Sequence, residues 1–166
     1  MAWRVGRCLP TPSTARSEAL DVGRRVLGID YGRRRIGLAI SDATRTLARP
    51  LTTLTVARGD GLARVVGEVE RLSREEDGIQ SIVVGLPTTL DGAPTDHTAT
   101  VIAFIEALAA RTSLPVARGD DRLTSREAES RLALRERDWK RRKQRLDAAA
   151  AAVMLQDYLD VERRKG

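Results

Sequence analysis

Residues 26–30 read Val26-Leu27-Gly28-Ile29-Asp30, an apolar run that ends in a carboxylate. A short continuous apolar run of this kind marks a strand covered on both faces. The Gly-containing stretch from Tyr31 to Arg35 turns the chain, and Ile36 to Ser41 forms a second strand that pairs back as a hairpin. Residues 50–56 supply a third strand. Over 61–76, Leu62, Val65, Val66, Val69 and Leu72 fall at helical spacing. Ile79 to Gly85, centred on Ile82-Val83-Val84, repeats the buried-strand pattern; Gly85-Leu86-Pro87 breaks it, and a polar loop covers 88–97. A second helix is expected from Thr98 to Arg111 and a short strand at 114–118. Two more helices, at 124–136 and 144–160, are separated by a basic linker. Strands that alternate with helices pair in parallel through right-handed crossovers. The pattern predicts an α/β protein with a mixed five-stranded sheet and helices on both faces. In such sheets ligands collect at the carboxyl ends of the strands.

A chain of 166 residues holds one core rather than two. Residues 1–24 read as a flexible extension, 25–161 as the folded domain and 162–166 as a tail. Aromatic residues make up 3 %, too few for a nucleic-acid platform built from rows of stacked rings. A net charge of +6 favours anionic partners. Cys8 is the only cysteine, which excludes an internal disulfide and a cysteine-rich zinc site. No apolar run approaches the roughly 18 residues of a membrane span, and the N-terminal stretch lacks a secretory signal's apolar core. The expectation is a cytoplasmic protein with no membrane contact, either monomeric or homodimeric.

Three acidic positions stand where carboxylates are costly. Asp30 ends a strand expected to be central, and an ionised carboxylate avoids apolar surroundings unless paired or bound to metal. It could equally cap the following turn. Asp120-Asp121 follow the 114–118 strand, where adjacent charges repel unless a cation or Arg122 relieves them; they could also simply open the next helix. Asp147 leads the alanine run Ala148 to Ala152, and small residues let a helix lie close to a sheet and bring its carboxylate to the strand ends. An acid in a helix's first turn is the plainer alternative. Taken together the acids suit a pair of hard divalent ions, Mg²⁺ or Mn²⁺, which prefer oxygen ligands and which, about 4 Å apart, can activate water against a phosphodiester. Among several mutually repelling acids, removing one is expected to raise metal-free stability slightly.

Four motifs then resemble the YqgF (RuvX) family. They are Gly28-Ile29-Asp30-Tyr31-Gly32 with Arg35-Ile36-Gly37-Leu38-Ala39 and Ser41-Asp42; Ile82 to Pro87 with Asp91-Gly92; Asp120-Asp121-Arg122-Leu123-Thr124-Ser125 with Ala128; and Asp147 to Ala150 before Val153-Met154-Leu155. The likeness spans 26–160. It implies an RNase H-like fold, similar to Holliday junction resolvases, and a metal-dependent nuclease that matures the 5′ end of pre-16S ribosomal RNA. By resemblance the catalytic and metal-binding acids are Asp30, Asp121 and Asp147, with Asp120 and Asp42 in reserve. Asp121 stands where the family usually has Glu, so its carboxylate reaches one methylene less far.

Substrate phosphates are expected to meet Lys140, Arg141, Arg142, Lys143 and Arg145 beside Asp147, Arg33, Arg34 and Arg35 after Asp30, and Arg122. No element reads as a base-reading helix, so backbone and shape recognition are expected. Structured RNA, as pre-16S RNA or a pre-ribosomal particle, is the first substrate class and branched DNA the second. A nucleic-acid-binding protein that has lost catalysis is a separate reading, motivated by Asp121. A phosphotransferase is weakest, for want of a phosphate-binding loop with its lysine. His97 reads as a solvated loop residue outside the site, and Gly37 as an aid to close packing within the hairpin.

Overall fold

The computed structural model describes residues 24–89, 92–120 and 139–166, with Asp120 and residues 139–144 described by backbone alone. Five strands form one sheet in the order β3-β2-β1-β4-β5. They are β1 (Arg25–Tyr31), β2 (Arg35–Ser41), β3 (Ala48–Thr55), β4 (Ile79–Leu86) and β5 (Val116–Asp120). The first three run antiparallel, with Asp30 opposite Gly37 and Gly37 opposite Thr53. The last two lie parallel to β1, with Ile29 beside Val84 and Gly85 beside Gly119. An antiparallel half joined to a parallel half through β1, with helices on both faces, is the RNase H-like arrangement that the resemblance implied.

Strand alternation sorts the side chains into two cores. On one face Leu27, Ile29, Ile36, Leu38, Ile82 and Val84 pack beneath α1 (Gly61–Ser73) and α2 (Thr98–Ala109). These helices contribute Val65, Val69 and Leu72, and Val101, Phe104, Ile105 and Leu108, at helical spacing. On the other face Val26, Ala39 and Val83 meet Ala151, Met154, Leu155 and Leu159 of α3 (Trp139–Lys165). Burying each large aliphatic side chain is worth about 1.5–3 kcal/mol before chain entropy is counted. At the start of β1 the buried Arg25 donates from Nε to the Gly78 carbonyl at 3.1 Å and from Nη2 to Glu75 at 2.7 Å, fastening the strand to the turn before β4.

Most expected elements occur, with ends shifted by a few residues. One junction differs. The basic stretch expected as a linker belongs to α3, which begins at Trp139 and runs unbroken to Lys165. Lys and Arg are good helix formers, and neither Gly nor Pro interrupts residues 139–165. The 1–23 stretch, Asp91, Asp121, Arg122 and the 124–136 helix lie outside the described residues. No helix among the described residues is long and apolar enough to cross a membrane.

Candidate active site

The site begins with a missing side chain. A Cβ built on Gly37 would lie 2.0 Å from the Asp147 carbonyl oxygen and 2.9 Å from the Ala148 nitrogen. Only glycine lets α3 press its backbone onto β2 at this point. The close packing that Gly37 permits is therefore between strand and helix, not within the hairpin. Gly28 continues the same track, since its Cβ would meet Leu155 Cβ at 2.9 Å, and the alanines of α3 supply the matching smooth surface.

This contact brings two of the three expected acids together. Asp30 is the register partner of Gly37, and cross-strand partners sit about 4.5–5.5 Å apart at Cα. Alternation puts Asp30 on the sheet face of Gly28, which is the face that α3 covers. Asp30, at the carboxyl end of β1, and Asp147, seated on Gly37, thus share one sheet face and one end of the sheet. Thr53 completes the row across three strands.

Arg35 has a different partner from the one expected. It lies two residues from Gly37 on the same face, and its Nε sits 2.7 Å from Asp147 Oδ2. Both side chains are largely shielded, at 31 % and 23 % exposure. The expected phosphate contact is engaged with an acid of the candidate site. Its neighbours Arg33 and Arg34 in the β1–β2 turn are exposed, as is Arg145 one turn before Ala148 and Ala149. These three retain the solvent-facing character that a phosphate contact needs.

Asp42 is removed from the site by both place and bonding. It follows Ser41 at the far end of β2, five positions beyond Gly37, roughly 17 Å away at the usual strand rise. Its carboxylate accepts from Thr44 Oγ1 at 2.5 Å, from the Thr46 amide at 2.7 Å and from the Leu47 amide at 3.1 Å. It is a turn residue. The Thr44 hydroxyl, aided by the backbone amides, holds its carboxyl below the usual value of 3.8 against opposing desolvation. A depressed folded value means a contribution that is full at neutral pH and lost as pH falls through that value. Asp42→Ala is expected to cost about 1 kcal/mol in urea unfolding at pH 7 and to leave the metal-dependent cleavage that the resemblance implies near wild type. Loss of cleavage in a folded Asp42→Ala variant would restore it to the site.

His97 also departs from its expectation. It is half-buried at the start of α2, and its Nε2 lies 3.0 Å from the Tyr31 carbonyl oxygen. A carbonyl only accepts, so Nε2 carries the proton in this contact. The Tyr31 ring stacks between His97 and Phe104, at centroid distances of 6.0 and 4.2 Å. His97 therefore pins the strand end immediately after Asp30, a role that polar flanking residues could not reveal.

The donor chemistry fits a hard cation. Asp30 and Asp147 offer carboxylate oxygens of the kind that Mg²⁺ and Mn²⁺ take. Among the described residues no group of three His, Cys, Asp or Glu side chains gathers around such a point. Asp121, Arg122 and the side chains of Asp120, Lys140, Arg141, Arg142 and Lys143 fall outside that description. Beside Asp147 opens a cleft of about 470 Å³ lined by Pro50, Thr52, Thr53, Arg145, Ala148 and Ala149. The threonines read from the sequence only as strand residues. Their place in the cleft depends on a contact between β3 and α3 that spans some ninety residues of chain.

Residues 24–161 match the family model described as "RuvX: Holliday junction resolvase". A protein of Chloroflexus aggregans named "Putative pre-16S rRNA nuclease" is 41 % identical over 138 residues, covering 83 % of this chain and 94 % of that one. One of the same name from Anaeromyxobacter dehalogenans is 40 % identical over 136 residues, covering 82 % and 96 %. Among solved structures, Thermus thermophilus RuvC in complex with Holliday junction substrate aligns with 84 % of this chain and 96 % of that one, at TM-score 0.48 and 17 % identity.

Proposed function

The chain belongs to the RuvX family, and on that premise we propose that it is a divalent-metal-dependent endonuclease acting on structured RNA, in 5′-end maturation of pre-16S ribosomal RNA. The observation that carries the reading is the seating of Asp147 on Gly37, the strand partner of Asp30. Asp30 and Asp147, from opposite ends of the domain, lie on one sheet face near the carboxyl end of the central strand, which supports a shared site. Asp30, Asp147 and Asp121 would hold Mg²⁺ or Mn²⁺, which supplies an activated water and stabilises the leaving oxygen. Arg33, Arg34 and Arg145, together with Lys140, Arg141, Arg142, Lys143 and Arg122, would meet the phosphodiester backbone. The relatives' name favours RNA. The family model's description favours branched DNA as the second reading.

One comparison separates the two. Purified protein is incubated with a precursor RNA carrying the 16S 5′ end and with a four-way DNA junction, each with Mg²⁺, with Mn²⁺ and with chelator. The expected result is metal-dependent cleavage of the RNA at a rate at least about ten-fold above that of the junction, the order of one good discriminating contact. Preferential junction cleavage would favour the DNA reading. Tight RNA binding with no cleavage under any metal would point to a binding protein that has lost catalysis.

A further inference from the structure

We propose that Arg35 is an internal counter-ion for the metal site, holding Asp147 while the site is empty and turning to a substrate phosphate when metal and nucleic acid arrive. The inference rests on the reading of Asp147 as a metal ligand and adds to it how that ligand is kept and released.

Three observations lead there. The Arg35 Nε lies 2.7 Å from Asp147 Oδ2, the distance of a direct ion pair. The two residues are fixed to face one another, because Arg35 and Gly37 share a face of β2 and Asp147 rests its backbone on Gly37. Arg35 also adjoins the exposed Arg33 and Arg34 in the turn after Asp30, so it sits at the boundary between the shielded acids and the solvent-facing cations.

The chemistry then sets a competition. A guanidinium and a divalent cation that seek one carboxylate oxygen repel each other, and the low-dielectric surroundings of half-buried groups strengthen that repulsion. Without metal, Arg35 relieves the cost of holding Asp147 close to Asp30. With metal, the arginine needs another anion. A phosphate fits it, since the planar guanidinium carries five N–H donors in a fork that matches phosphate oxygens. Metal and nucleic acid should therefore bind with positive coupling, each making the other's site available. A solvent-facing arginine such as Arg33, with no carboxylate partner among the described residues, cannot provide that coupling.

The test reads metal binding rather than activity. Mn²⁺ is titrated into the full-length protein and free Mn²⁺ is followed by electron paramagnetic resonance, without and with a short phosphorothioate-substituted RNA stem–loop. Wild type, Arg35→Gln and Asp147→Asn are compared. Arg35→Gln is expected to bind Mn²⁺ about ten-fold more tightly without RNA, a coupling size common between adjacent sites. The stem–loop is expected to tighten Mn²⁺ binding several-fold in wild type and hardly at all in Arg35→Gln. Unchanged or weaker Mn²⁺ binding by Arg35→Gln, or equal coupling in both proteins, overturns the proposal while Asp147 keeps its role. Mn²⁺ binding that survives Asp147→Asn overturns the metal-ligand reading itself, and the counter-ion proposal with it. Should Arg35→Gln not fold, Arg35→Lys serves. It keeps the charge but loses the planar fork, so Mn²⁺ affinity within about two-fold of wild type and a lost RNA coupling are expected. Coupling retained in Arg35→Lys overturns the phosphate-switching role.

Discussion

Asp147→Asn is expected to reduce metal-dependent cleavage on the order of a thousand-fold while the domain remains folded. Asn has nearly the size and the helix position of Asp, but it lacks the charge that holds a hard cation. Loss of one essential group from a cooperating set costs several orders of magnitude in turnover. RNA binding should persist, because the proposed phosphate contacts are arginines and lysines rather than Asp147. The measurement is single-turnover cleavage at saturating enzyme, run beside a binding titration and an unfolding curve. Cleavage within a few-fold of wild type in the folded variant would exclude Asp147 and move attention to Asp120.

The same variant carries a second, opposite lesson about stability. From sequence alone, loss of one acid among several should relieve repulsion and slightly stabilise the metal-free protein. The ion pair between Arg35 and Asp147 reverses that sign. Asp147→Asn leaves Arg35 without its carboxylate, so metal-free stability should fall by about 1 kcal/mol, the upper end of what partly exposed pairs contribute. A rise in the unfolding midpoint in chelator would show that repulsion between Asp147 and Asp30 outweighs the arginine.

What could be read from the sequence follows the range of each interaction. The run Val26 to Ile29 and the spacing of Val65, Val69 and Leu72 are local patterns, and both became core elements with the expected faces buried. Asp30 at a strand's carboxyl end and Asp147 ahead of an alanine run were legible for the same reason. Where a residue's role depends on a distant partner, the local pattern gives only part of it. Gly37 looked like a hairpin glycine, yet its constraint comes from a helix more than a hundred residues later. Arg35 reads from the sequence as a phosphate contact beside Arg33 and Arg34, and only the fold adds its ion pair with Asp147. Asp42 looked available as an acid until the Thr44 hydroxyl and two backbone amides were found on it. The Lys140 to Lys143 run was divided from its helix by charge, a property that does not break helices.

Gly37→Val is expected to be the most damaging single change to the fold around the site. The glycine has no room for even a Cβ, which would sit 2.0 Å from a backbone oxygen. A flexible side chain could turn aside, but a helix backbone can yield only by moving the helix. Such movement would lift the α3 alanines and Leu155 from Gly28, Ala39 and Val83, losing packing along the whole face. Overpacking a tight core costs about 1–3 kcal/mol and more where backbone must shift, so a loss of at least about 3 kcal/mol is expected in urea unfolding. Gly37→Ala should cost somewhat less, because it adds the clashing carbon without the branch. Any fraction that folds should still lose cleavage, since Asp147 can no longer sit beside Asp30. Intact arginines and lysines should preserve RNA binding in that folded fraction. A Gly37→Ala variant with wild-type stability and cleavage would show that α3 does not rest on β2 at this point, and would remove the contact on which the convergence of the two acids depends.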